Sequence, residues 1–188
     1  MTTYIPQLTL PYEVFASPAA SILLPVGLGT LVGFSTRPSE TKKKYMALKQ
    51  PPFHPPAYVF GPAWTALYGL MGYGAYRAVS TGLAPLSSVE HIRMTKHGAT
   101  LYTIQLGLNL AWMPLFFGLK RPVEATVDIV ALLGTAGYLT YIWGSVDKVA
   151  GWCFAPYVAW LSYATYLCVG AAHLNNWGLK DKEVSKEQ

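Results

Sequence analysis

Charged side chains are scarce in this chain: 12 % of 188 residues, against about 25 % in an ordinary soluble domain. With 52 % hydrophobic residues, that composition excludes a disordered chain, which needs low hydrophobicity and high charge. It also excludes an autonomous nucleic-acid module, so the formal net charge of +5 needs another cause. Cysteine is nearly absent. Cys153 and Cys168 fall in one apolar stretch fifteen residues apart, about 22 Å by helical rise, too far for a disulfide. They carry no information on redox compartment. Residues 1–16 contain no Lys or Arg, so neither a basic signal-peptide start nor an Arg-rich presequence is expected there. No repeat of 20–50 residues and no low-complexity tract occurs, which removes solenoids.

What is present is a set of long uncharged runs, at 14–36, 50–76, 97–119, 129–146 and 149–179. About 20 mostly apolar residues cross the hydrocarbon layer as a helix. Trimming the polar and Pro-rich ends gives five expected spans at 17–35, 57–79, 98–117, 124–145 and 151–174. Runs such as Ile129–Leu133 do not alternate, so β-barrel strands do not fit. The expected fold is an all-α integral membrane protein, a five-transmembrane-helix bundle over 1–188, with a loop at 36–56 and a polar tail at 178–188.

The basic residues fix the expected orientation. Arg37, Lys42, Lys43, Lys44 and Lys49, then Lys120 and Arg121, then Lys180, Lys182 and Lys186 fall on one side of five crossings. Arg77, Arg93, Lys96 and Lys148 fall on the other. The positive-inside rule then places the loops at 36–56 and 118–123 and the C-terminus in the cytosol.

Before the second span stands a proline-dense segment, Pro51-Pro52-Phe53-His54-Pro55-Pro56. Proline breaks helix interiors and fits first turns, so this is a stiff connector that can also serve as a lid, with Pro51, Phe53, Pro55 and Pro56 as its residues. Trp64, Tyr68, Trp112 and Trp160 lie deep in spans. Trp64 and Tyr68 are four apart and share a face, and aromatic faces lining a cavity suit a flat apolar ligand with a polar rim. Trp143 and Trp152 read as interfacial anchors. Gln105, Asn109 and Trp112 form one stripe, either functional or interhelical glue. Asp128, one turn inside the fourth span, is expected to pair with Lys120 or Arg121. Gly29-x-x-x-Gly33 supports close helix contact, within or between chains.

Metal-spaced His/Cys/carboxylate clusters, a Gly-rich phosphate loop and a Ser/His/Asp set on one side of the membrane are all missing, and His54, His91, His97 and His173 are scattered. No catalytic residue of a conventional kind, no metal and no required cofactor is therefore expected.

Three stretches carry a family resemblance: Leu48–Pro56 with Phe60-Gly-Pro-Ala-Trp-Thr-Ala-Leu-Tyr68 and Met71–Tyr76, Leu101–Gln105 with Asn109–Gly118, and Pro156–Thr165. In order and spacing they resemble the translocator protein (TspO/MBR, peripheral benzodiazepine receptor, tryptophan-rich sensory protein) family, in a eukaryotic non-animal form, over about 20–170. The resemblance implies a five-helix bundle whose pocket is closed by the first loop, with bound porphyrin, haem precursors, sterols or benzodiazepine-type drugs as ligands. It implies a mitochondrial outer membrane with a cytosolic C-terminus, or else the endoplasmic reticulum, and leaves room for a homodimer. Carried over residue by residue, the pocket comprises His54, Trp64, Tyr68, Asn109, Trp112, Ala164 and Leu167. Trp64 and Trp160 match tryptophans linked in bacterial members to light-dependent porphyrin degradation.

The chain departs from the family pattern at several points. Phe53, Leu110 and Glu124 stand where Trp is usual or common, and the sterol-recognition segment reads Cys168-Val-Gly-Ala-Ala-His173. Thr100 and Ile104 replace a Gly-x-x-x-Gly stripe, and the loop at 80–96 is long. The functional expectation is a membrane-embedded binding protein or translocator for tetrapyrroles, sterols or related lipids. Its alternatives are a porphyrin-degrading enzyme and an interaction scaffold, with the bilayer and hydrophobic small molecules as partners and no nucleic acid.

Overall fold

Proline sets several of the helix starts, at positions where its missing N–H has no intrahelical partner to lose. The computed structural model describes residues 8–36 and 38–178, so Arg37 of the basic loop and the tail lysines lie outside the described residues. Within them the secondary structure is all helical. The helices are α1 (Tyr12–Ala16), α2 (Pro18–Ser35), α3 (Pro38–Ala47), α4 (Phe60–Gly82), α5 (Val89–Met113), α6 (Pro122–Val146) and α7 (Lys148–Leu174). Five of them have 18 residues or more. Two, α2 and α6, are long and apolar enough by composition to cross a membrane.

Several boundaries differ from the sequence reading. A 3-10 turn at Ala57–Val59 precedes α4, which runs on to Gly82. α5 starts at Val89 rather than at 98 because the Ser88 hydroxyl caps it, accepting from the His91 N–H at 3.2 Å, a bond that satisfies one free amide of the first turn. The long second loop expected over 80–96 is thus mostly helix. At its far end α5 widens into a π turn, Pro114–Gly118, where Leu119 N–H donates to the Pro114 carbonyl at 2.8 Å. Pro114 cannot donate to the ladder, and the chain re-registers by one residue.

The long helices pack in a closed ring. α4 lies between α2 and α7, α6 between α7 and α5, and α5 closes back on α4 and α2. Close approach between α2 and α4 depends on Gly72, where a Cβ would stand 2.3 Å from the Ser21 carbonyl oxygen. Of the small-residue pair on α2, Gly29 lies against the Tyr68 ring while Gly33 faces open space. Gly29 therefore serves contact within the chain.

Trp143 corrects the sequence reading. It is fully buried, stacked on Tyr102 with ring centroids 5.5 Å apart, and its indole N–H donates to the Thr95 carbonyl at 3.4 Å. Gly98 makes the room: a Cβ there would stand 2.0 Å from the indole nitrogen. Trp152 is exposed.

Asp128 also departs from expectation. Arg121 donates instead to Glu124 at 3.1 Å on the exposed face of the first turn. Asp128 shares the inward face of α6 with Ala125, Ile129 and Leu132, all buried.

The two ends of the bundle are closed differently. At one end Phe15 of α1 packs edge-on against Tyr102 at 5.8 Å, and the Leu10 N–H donates to the Thr103 hydroxyl at 3.0 Å. A cavity of about 250 Å3 beside it is lined by Leu10, Phe15, Val79, Leu83 and Lys96, among others. Nearby, Asp147 joins α6 to α7. Its carboxylate accepts from the Val149 and Ala150 N–H groups at 2.7 and 3.1 Å, from Thr81 at 2.9 Å and from Arg77 at 2.7 Å. Burial alone would raise its pKa, but the bonds from Ala150, Thr81 and Arg77 outweigh it and hold the carboxyl below its usual range.

Candidate ligand-binding site

The aromatic and amide residues singled out in the sequence converge where α4, α5 and α7 meet. The Tyr68 hydroxyl donates to the Asn109 side-chain carbonyl. The Asn109 amide donates to the Tyr157 oxygen at 3.1 Å, and the Tyr157 hydroxyl donates to the Gln105 carbonyl at 2.7 Å. All four side chains are buried. The chain of donors runs one way and ends on the Gln105 amide, which has no partner. Each group in such a network is held by its neighbours, so the core is fixed by direction as well as by shape.

Trp64 sits over this network, 5.6 Å from the Tyr68 ring and 6.3 Å from Tyr157. Trp112 and Ala164 belong to a second cluster nearer the lid, with Phe116, Ile129 and Cys168. Trp112 stacks on Phe116 at 5.2 Å. Leu167 is buried on α7. Trp160 is placed apart, meeting Phe60 at 6.1 Å and Tyr163 at 5.7 Å. Trp160 lines a groove of about 550 Å3 on the α4/α7 face together with Ala63, Leu67, Leu70 and Ala159. No ring contact joins Trp64 to Trp160 among the described residues.

The segment expected to act as a lid is preceded by α3, a helix the sequence reading did not anticipate. Prolines donate nothing, so most of the lid's carbonyls take donors from elsewhere. The Tyr45 hydroxyl donates to the Pro55 carbonyl at 2.7 Å, Tyr163 to that of Phe53 at 2.7 Å and Tyr166 to that of Pro52 at 2.9 Å. Burial, with Tyr163 beside it, raises the Tyr45 pKa and keeps that phenol a donor. Pro51 is buried against Gly170, where a Cβ would come within 2.8 Å of its ring. Asn175 then clasps Lys49 at two points, accepting from its N–H at 3.2 Å and donating to its carbonyl at 3.0 Å.

Two lid residues do not face the interior. Phe53 is 91 % exposed and adopts a positive φ of 61°, a conformation that turns its carbonyl toward Tyr163 and its ring away. His54 is exposed, its Nδ1 3.1 Å from the Pro51 carbonyl, with its ring 6.5 Å from Tyr45. Pro55 is half-buried and Pro56 exposed. The residues that sequence reasoning missed are Tyr157, the centre of the network, and the latching phenols. Replacing Tyr163 and Tyr166 together by Phe should speed hydrogen exchange at the Lys49 amide, which Asn175 holds beside the lid, on the order of thirtyfold, two bonds of about 1 kcal/mol each being lost. Unchanged exchange would show that the phenols do not hold the lid.

The fold and site define an all-helical bundle protein with an aromatic interior, a buried polar chain and a latched proline lid. The chain belongs to the TspO/MBR family, whose pattern matches residues 21–174, and members of this family are membrane proteins. It is 41 % identical over 170 residues to a translocator protein homolog of Schizosaccharomyces pombe, covering 88 % of this chain and 99 % of that one. It is 37 % identical to the human translocator protein over 80 % of this chain and 85 % of that one. A tryptophan-rich protein TspO from Archaeoglobus fulgidus is 38 % identical over 79 % and 90 %.

Proposed function

We propose that this chain is a five-span membrane protein that binds flat hydrophobic ligands of the tetrapyrrole, sterol or related lipid class between its helices. The observation that carries the reading is Trp64 with Tyr68 and Tyr157 around a buried polar chain whose terminal Gln105 donor has no partner. Such a site offers ring faces to an apolar plate and a hydrogen bond to its edge.

Five crossings are supported by where charge falls along the helices. α4 is uncharged up to Arg77, α5 after Lys96 and α7 after Lys148. Their tryptophans, tyrosines and amides lower their mean hydropathy without adding charge. The basic residues Lys42, Lys43, Lys44, Lys49, Lys120 and Arg121 gather at the lid end, which the positive-inside rule places in the cytosol. The mitochondrial outer membrane is the proposed location. Trp112, Ala164 and Leu167 are proposed to line the lid side of the site, with no cofactor required for binding.

Titrating protoporphyrin into the detergent-solubilised protein should quench tryptophan fluorescence saturably. Trp64→Ala should weaken that binding about tenfold, the worth of one aromatic face. Absence of saturable quenching, or a variant indistinguishable from the wild type, would overturn the reading.

A further inference from the structure

Two polar atoms in the second cluster are left without a use. Asp128 on α6 is 8 % exposed, and its Oδ2 is buried with no hydrogen-bond partner. Its helical neighbours Ala125 and Ile129 pack with Cys168 and against Trp112 and Ala164, so the carboxylate is on the face that looks toward that cluster. The indole N–H of Trp112 is likewise buried without a partner. It lies toward the Cys168 sulfur but makes no hydrogen bond of ordinary geometry. The neighbouring cations are engaged elsewhere: Arg121 on Glu124 and the Lys44 ammonium on the Phe117 carbonyl at 3.0 Å. An unpaired acceptor and an unpaired donor buried on one cluster are both costly to leave unmade. A ligand that brings the complementary pair removes both costs.

We propose that Asp128 determines which ligands the site accepts. Its carboxylate receives an N–H or protonated nitrogen on one edge of a flat ligand, while Trp112 donates to a carbonyl or carboxylate oxygen on another. The inference rests on the binding role proposed above and narrows it to plates that carry both a donor and an acceptor edge. A nitrogen heteroaromatic with an oxo or acid group carries both edges.

Acridone and xanthone separate the cases. They share three fused rings and a carbonyl, and acridone has an N–H where xanthone has an ether oxygen. Calorimetric titration of the full-length protein in detergent should show acridone binding about tenfold or more tightly than xanthone, the size of one charge-assisted hydrogen bond. Asp128→Leu should bring the two within about twofold, by weakening acridone and leaving xanthone in place. Asp128→Asn, which keeps a carbonyl acceptor, should retain part of the preference and decides the matter if the leucine variant does not fold. Equal wild-type affinities alongside saturable protoporphyrin binding would sink the Asp128 inference alone, and a preference that survives Asp128→Leu would do the same. If acridone, xanthone and protoporphyrin all fail to bind the wild type, the binding role falls and the Asp128 inference with it.

Discussion

Asp147→Ala is expected to destabilise the protein by about 3 kcal/mol, read as a lower thermal midpoint in detergent. The carboxylate caps α7 through two backbone amides, receives Thr81 from α4, and is the partner of Arg77. Loss of an N-cap costs about 1 kcal/mol. Leaving a charged partner behind costs about 3–5 kcal/mol when that partner is fully buried. Arg77 is 37 % exposed on its side chain, so water recovers part of that penalty and the total falls near the lower value. The pH dependence has a definite sign. Because the folded carboxyl titrates below its usual range, its contribution is complete above about pH 4, the unfolded value, and fades as pH falls through the lower folded value. The midpoint difference between wild type and Asp147→Asn should therefore be constant near neutrality and shrink in acid. A difference that is flat down to pH 2, or absent at pH 7, would refute this account of the knot.

Tyr157→Phe should be the most damaging change inside the site. One hydroxyl both accepts from Asn109 and donates to Gln105, so removing it leaves an amide N–H and an amide carbonyl unpaired in the interior. Each orphaned group costs about 1–3 kcal/mol, giving about 2–4 kcal/mol for both after the side chains relax. Since Trp64 rests on the Tyr157 ring rather than on its hydroxyl, the ring platform survives the substitution. Protoporphyrin binding measured well below the melting temperature should then change by less than about threefold, although the melting temperature drops. Equal stability of Tyr157→Phe and wild type would show that the donor chain contributes nothing to the fold.

How far the sequence could be read depends on the kind of contact. The Gln105, Asn109 and Trp112 stripe was visible because one helix's periodicity decides which residues share a face. Its partner Tyr157 was not, because α7 carries Tyr157, Tyr163 and Tyr166, and which of them turns inward depends on how that helix is rotated in the bundle. Trp143 was misplaced for a related reason. A tryptophan near a span end usually anchors at the interface, but Gly98, forty-five positions earlier, opens a slot for this one. α3 escaped notice because its Lys-rich sequence has no apolar stripe to show a period. The lid was recognisable from its prolines, yet its latch was not, since two of its three phenol donors arrive from residues more than one hundred positions away.

That separation has a consequence for how the molecule is made. The lid is synthesised after α2 and before α4, whereas Tyr163, Tyr166 and Asn175 emerge only with α7 and just after it. Through most of translation and insertion the Pro52 and Phe53 carbonyls must therefore be served by water, and their latching can follow only the arrival of α7. A segment of ordinary residues waiting that long would also expose a row of free N–H groups, ready to pair with any passing strand edge. Pro51, Pro52, Pro55 and Pro56 have none to expose, so the same residues that stiffen the finished lid keep the nascent one from pairing wrongly.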